Sequence, residues 1–255
     1  MRTIIKYVLL DLIKNKTVLV YTFILAALSV SVLATGSNTS KGLLSLLNIT
    51  LLFVPIISML FATIYFFNSV EFIELLLAQP IKRKTMLLAE YSGVAFALSI
   101  AYLIGVGIPL CIFSYDIASL TLILSGLLLT LIFSALALVI FVLFRDKTKG
   151  IGAAIITALF FTLLFDGLLL SFIFSFSDYP IDKPLLGLIS LNPVDLARIL
   201  VLLKLDVAVM MGYSGALFKK FMGSATGSIY TICCMSFWVI IPLLMSAKVF
   251  KRKDL

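Results

Sequence analysis

Histidine is absent from this chain. Imidazole catalysis and histidine metal ligation are therefore excluded. Cysteine is scarce: Cys111, Cys233 and Cys234 sit in or near apolar runs, with no C-x-x-C spacing. Neither a disulfide framework nor a zinc site is indicated. Charge is scarce too, with 13% Asp, Glu, Lys and Arg and only 12 acids. A soluble domain carries about 25%. No G-x-x-x-x-G-K-[ST] stretch occurs, so the chain supplies no P-loop of its own. Neither G-x-S-x-G nor H-E-x-x-H is present, which removes two common hydrolase sites.

What remains is apolar. Hydrophobic residues make up 62% of 255 positions, and the mean hydropathy is +1.22. A helix needs about 20 apolar residues to cross a bilayer. The chain has room for six such spans and no soluble enzymatic domain. We read residues 1–255 as a single transmembrane domain. Spans are predicted near 17–35, 43–68, 86–113, 117–144, 151–176 and 228–247. Residues 1–16 form an amphipathic pattern, with Ile4, Ile5, Val8 and Leu12 on one face and Arg2, Lys6 and Lys14 on the other. This predicts an interfacial helix on the inner leaflet rather than a cleaved signal.

The net charge of +8 does not point to nucleic acid, because the basic residues cluster at the ends of apolar runs. With the amino terminus inside, 14 of the 20 Lys and Arg fall on inner segments. Both termini are therefore expected to be cytoplasmic. Residues 177–227 form a long outer segment, in which Asn192-Pro193-Val194-Asp195 opens a helix well. Asn caps, Pro fits the first helical position, and Asp meets the positive dipole end. Leu196, Ile199, Leu200, Leu203 and Val207 then keep a helical period. An interfacial helix is predicted, with Arg198 projecting from its first turn.

Other residues stand out. Gly93, Gly105 and Gly107, and the face Gly150-x-Gly152-Ala153-Ala154 at the start of the fifth span, suit close helix contact. Asp166 is the only acid read as lying well inside an apolar run, about 22 Å of helix rise past the inner end of its span. It lines a path or locks helices through a hydrogen bond, or else it is wetted near the outer face. Met210, Met211, Met222, Met235 and Met245 gather near the C-terminal end with the paired cysteines. Soft-ion binding and gap-filling are the two readings.

The run 70–85 lies between the second and third spans. Glu71 and Glu74 share a helix face. Leu75, Leu76 and Leu77 fill the next turn, and Pro80 ends the helix. Lys82, Arg83 and Lys84 follow. The pattern resembles the coupling helix of ABC-2 type exporter permeases, with Glu71, Glu74, Pro80, Ile81 and Arg83 at matching positions. Three stretches together resemble the NosY family: Glu74 to Arg83 (ELLLAQPIKR); Phe144 to Gly150 (FRDKTKG) with Phe165 to Leu170 (FDGLLL); and Leu191 to Arg198 (LNPVDLAR).

This resemblance implies an all-α permease with six transmembrane helices, an N-terminal elbow helix and a cytoplasmic coupling helix. It implies a homodimer in the inner membrane, a cytoplasmic NosF-like ATPase dimer that holds the ATP and magnesium, and an outer NosD-like partner. No cofactor is expected in this chain. The implied role is support of copper-sulfur centre assembly in nitrous oxide reductase. ATPase coupling falls to Glu71, Glu74, Leu77, Pro80, Lys82 and Arg83. The second inner loop is Arg145, Asp146 and Lys147, and outer contact falls to Asn192, Asp195 and Arg198. Alternatives are another ABC-2 exporter, for lipid, peptide, drug or gliding machinery, and a membrane scaffold that moves nothing.

Overall fold

A computed structural model describes residues 2–13, 15–35, 39–77, 82–176, 182–205 and 212–252. Among them there is no strand. The helices are α1 (Arg2–Ile13), α2 (Lys16–Thr35), α3 (Thr39–Asn68), α4 (Val70–Leu77), α5 (Arg83–Tyr102), α6 (Ile108–Phe113), α7 (Ile117–Leu143), α8 (Lys147–Leu159), α9 (Phe165–Ser175), α10 (Asp182–Ser190), α11 (Pro193–Leu202) and α12 (Gly212–Arg252). Two π-helical turns, Leu103–Gly107 and Phe160–Leu164, join α5 to α6 and α8 to α9. Each joined set makes one span.

Among the described residues six helical segments are long and apolar enough to cross a membrane: Lys16–Ala34, Ser40–Asn68, Arg83–Phe113, Ile117–Leu143, Lys147–Ser175 and Ala225–Phe250. They match the six runs read from the sequence. They divide by burial. In the Ile117–Leu143 span 67% of the apolar window is buried within the chain, against 22% for Lys16–Ala34, Lys147–Ser175 and Ala225–Phe250. Helix α7 is thus the central post, and those three spans turn most of their surface to lipid or another subunit.

Helix α7 packs on α3, α5, α11 and α12. Its contact with α3 is aromatic at one end, where Phe141 meets Phe66 and Phe67. Against α5 the approach is closer. Gly126 lies under the Tyr102 ring, and any Cβ there would overlap it. Tyr102 is fully buried and donates its hydroxyl hydrogen bond to the Leu122 carbonyl, 3.1 Å away. Small-residue contact also holds α1 to α5, where a Cβ on Gly93 would come within 2.7 Å of Val8 Cβ. Gly105 does the same against Leu25 of α2. Gly107 and Gly152 do not. A Cβ at Gly107 meets only Leu103 of its own turn, and one at Gly152 meets open space.

The segment after the fifth span departs from expectation. Pro184–Ser190 and Pro193–Leu202 form a bent pair at 108°. Every residue of α11 except Arg198 is buried. The expected interfacial helix, with one face in the headgroups, is instead enclosed by α3, α7, α10 and α12. Periodicity marks the most apolar face but does not reveal how many faces are covered. The helix stops at Leu202, and Val207 lies outside the described residues. The last helix begins at Gly212, well before the expected Ser228. Polar residues there break an apolar run without breaking a helix.

Candidate functional site

Two regions gather the residues singled out above. The first is the joint between α3 and α4. The chain turns at Ser69, whose amide donates to Tyr65 O at 2.9 Å and whose hydroxyl donates to Phe66 O at 3.1 Å. The Ile73 amide then donates to Ser69 O, so α4 continues from the turn with little slack. Ile73 is the anchor of α4, at 1% exposure. Glu71, Phe72, Glu74 and Leu75 are exposed around it. Among its described side chains, Ile73 is buried, Val70 packs partly against the core, and two acids and two large apolar groups point outward. Leu77 is its last residue. Pro80 and Ile81 lie outside the described residues. Lys82, Arg83 and Lys84 are exposed at the start of α5, and Met86 is buried below them.

The second inner loop meets this joint. Lys147 Nζ donates to Asn68 Oδ1 at 2.7 Å, tying the start of α8 to the end of α3. Asp146 caps α8 by accepting from the Thr148 amide at 2.8 Å, which offsets the free amides of its first turn. Arg145 is exposed beside it. The sequence brought these residues close in kind; the fold brings Asn68, Lys147 and α4 together in space.

The second region is a polar knot between the fifth span and the bent pair. Arg198 holds two carboxylates, with Nη2 on Asp166 Oδ2 at 2.9 Å and Nη1 on Asp195 Oδ1 at 3.0 Å. Asn192 completes it. Its Oδ1 accepts from the Val194 amide at 3.0 Å, and its Nδ2 donates to Asp195 Oδ2 at 2.9 Å and to the Phe161 carbonyl at 3.1 Å. Phe161 lies in the π-turn. Such turns leave a carbonyl without its usual partner, and Asn192 supplies one from outside the helix. Asp166 thus belongs to a lock between helices. Asn192 is fully buried, Asp195 nearly so, and Arg198 and Asp166 are each about one-third exposed at the side chain. The Asn192 and Asp195 side chains are engaged inside the chain and do not form a free outer face.

One residue escaped the sequence reading. Glu90 lies within the third span and is 1% exposed, so Asp166 is not the only acid inside an apolar run. It stands seven residues after Arg83, and the sequence reading did not single it out. Among the described residues no group of three or more His, Cys, Asp or Glu is placed to hold a metal. Met235 is buried while Cys233 is exposed, so these neighbours in sequence face different ways. Met210 and Met211 lie outside the described residues, and the Met222 side chain is not described.

No family model matches the chain. Over 237 residues it is 29% identical to a Pseudomonas aeruginosa protein named probable ABC transporter permease protein NosY, covering 82% of this chain and 84% of that protein. Over 268 residues it is 26% identical to a protein of the same name from Stutzerimonas stutzeri, covering 95% of each. Both likenesses agree with the resemblance to NosY-like ABC transporter permeases read from the sequence. A permease subunit implies an ATPase partner within an ABC system, and the six spans make it a multi-pass membrane protein. The all-α permease architecture read from the sequence agrees with both findings.

Proposed function

We propose that this permease couples ATP hydrolysis by a separate cytoplasmic ATPase to transport or assembly that supports copper-sulfur centre maturation of nitrous oxide reductase. The observation that carries the coupling is α4, a helix of 8 residues between the second and third spans, anchored by Ile73 and exposing Glu71 and Glu74. A helix held on one side and charged on the other suits a lever on which a partner pushes. Lys82, Arg83 and the Arg145–Lys147 loop are assigned to the same role, with Leu77 as the last residue of α4 and Pro80 assigned from the sequence alone. ATP and magnesium belong to the ATPase partner. The copper-maturation role follows the name of the relatives and the three stretches quoted above.

The working unit in this reading is a homodimer in the inner membrane, with both termini cytoplasmic and a NosD-like partner outside. Arg198 and Asp166 offer the exposed part of the polar knot to that partner; Asn192 and Asp195 hold them in place. Reporter fusions at Ser40 and after Leu255 test the orientation. Opposite signals are expected, and equal cytoplasmic signals overturn it.

Glu71→Lys with Glu74→Lys tests the coupling. Like charges brought together across an interface cost several kcal/mol, and each 1.4 kcal/mol is about tenfold in affinity. Co-purification of the ATPase with the double variant is expected to fall at least about tenfold at normal permease levels. Unchanged recovery of the ATPase would remove α4 from the interface. Loss of copper-site content in the reductase, measured in the same strain, tests the maturation role separately.

A further inference from the structure

We propose that Glu90, with Asp11 and Tyr65, forms a proton-binding site at the end of the third span that adjoins α4. Glu90 is 1% exposed, and both carboxylate oxygens are buried without a hydrogen-bond partner among the described residues. Asp11 of α1 bears on it electrostatically, and both acids bear on Tyr65 of α3. Asp11 and Tyr65 line a cleft of about 340 Å³ between α1, the end of α3 and α4, with Asn68, Ser69 and Phe72. A second chamber of about 260 Å³ shares Tyr65 and Asn68. The walls are mostly apolar, but Asp11, Tyr65, Asn68 and Ser69 set polar groups into the larger cleft that can hold water, a proton source beside the groups that bear on Glu90.

Among the described residues the charges around Glu90 do not supply a cation. Helix α7, packed on α5, carries no ionisable side chain. Lys16 of α2 and Lys248 of α12 are exposed, each near an end of its helix. Lys147 is engaged with Asn68. On α4 the charged groups are Glu71 and Glu74, which are exposed, and on α5 itself Arg83 and Lys84 are exposed two turns away. Tyr91 donates its hydroxyl to the Leu131 carbonyl. Tyr21 and Tyr102 are buried and neutral as ordinary phenols. An ionised carboxylate so enclosed, facing a second carboxylate, lacks both solvation and a counter-charge. A proton from cleft water adds to one carboxylate oxygen and leaves a neutral acid, and its release returns it to that water.

The site is wired to α4. Glu90 bears electrostatically on Tyr65, whose carbonyl accepts the Ser69 amide at the turn into α4. Gain or loss of the proton changes the field at Tyr65, one helical turn from the lever. This consequence rests on the coupling proposed above; the proton site itself does not.

Infrared spectroscopy of the full chain in lipid nanodiscs tests the site. At neutral pH a protonated-carboxyl stretch is expected that shifts in D2O. Glu90→Gln should lose it, and Glu90→Asp should move it without abolishing it. Absence of the stretch in the parent protein overturns the proposal, as does an unchanged stretch in both variants. A second readout uses the complex with its ATPase. Flattening of the pH dependence of ATP turnover in Glu90→Gln supports the link to α4. An unflattened profile with the infrared result intact overturns that link and leaves the site standing.

Discussion

Arg198→Gln is expected to lower the unfolding midpoint of the permease more than any substitution on its exposed faces. Among the described residues the guanidinium is the one cation between Asp166 and Asp195 in the polar knot. Removing one partner of a buried pair costs about 3–5 kcal/mol, because the other charge stays behind without compensation. Here the Arg198 and Asp166 side chains are 35% and 32% exposed, so water screens part of that loss. A cost of about 2 kcal/mol is the reasonable scale after that discount. The damage should not stay local. Asp195 accepts from Asn192, and Asn192 holds the Phe161 carbonyl of the π-turn, so the fifth span and the bent pair loosen together. Adding Asp166→Asn to Arg198→Gln should recover part of the midpoint, since it removes one orphaned carboxylate. The measurement is thermal unfolding in detergent, followed by tryptophan fluorescence. Trp238 reports on this region, because its indole N–H donates to the Ser190 carbonyl at 3.1 Å and its ring packs edge-on against Phe161. An unchanged midpoint for Arg198→Gln would mean that the knot holds nothing together.

Gly126→Val is expected to prevent assembly of the helical core. At this position α7 crosses beneath the Tyr102 ring, with no room for a Cβ. Overpacking a core costs about 1–3 kcal/mol, and more where the neighbour has nowhere to go. Tyr102 is fully buried and its hydroxyl is fixed on Leu122, so its ring cannot swing aside without leaving that oxygen buried and unpaired. Membrane insertion should be unaffected, because the span stays apolar. Folded, monodisperse protein on size exclusion should fall sharply. Tyr102→Ala combined with Gly126→Val should restore part of it by opening the space that valine needs. Full recovery of Gly126→Val alone would show that α5 and α7 can part at little cost.

Much of this protein was legible before any coordinate. The six spans follow from apolar run lengths near the thickness of a bilayer, and lipid leaves the backbone of such runs no common alternative to helix. The short helix between the second and third spans was legible for a local reason: Glu71 and Glu74 share a helix face between two apolar runs, with a proline a few residues on. Asn192 as a helix cap was legible too, since its side chain reaches only two residues ahead. What the sequence could not determine was how many sides of each helix are covered. The pattern Leu196, Ile199, Leu200 reads the same on a lipid surface and in an enclosed helix, yet only Arg198 of α11 escapes burial. Nor could it pair charges across distance. Asp166 and Arg198 are 32 positions apart, and only the 108° bend between α10 and α11 brings them within 2.9 Å. Glu90 is the sharpest case. By sequence it follows a basic edge, and solvent would satisfy it there. Only the packing of α1 and α3 over α5 removes the water, because burial belongs to neighbours that lie far away along the chain.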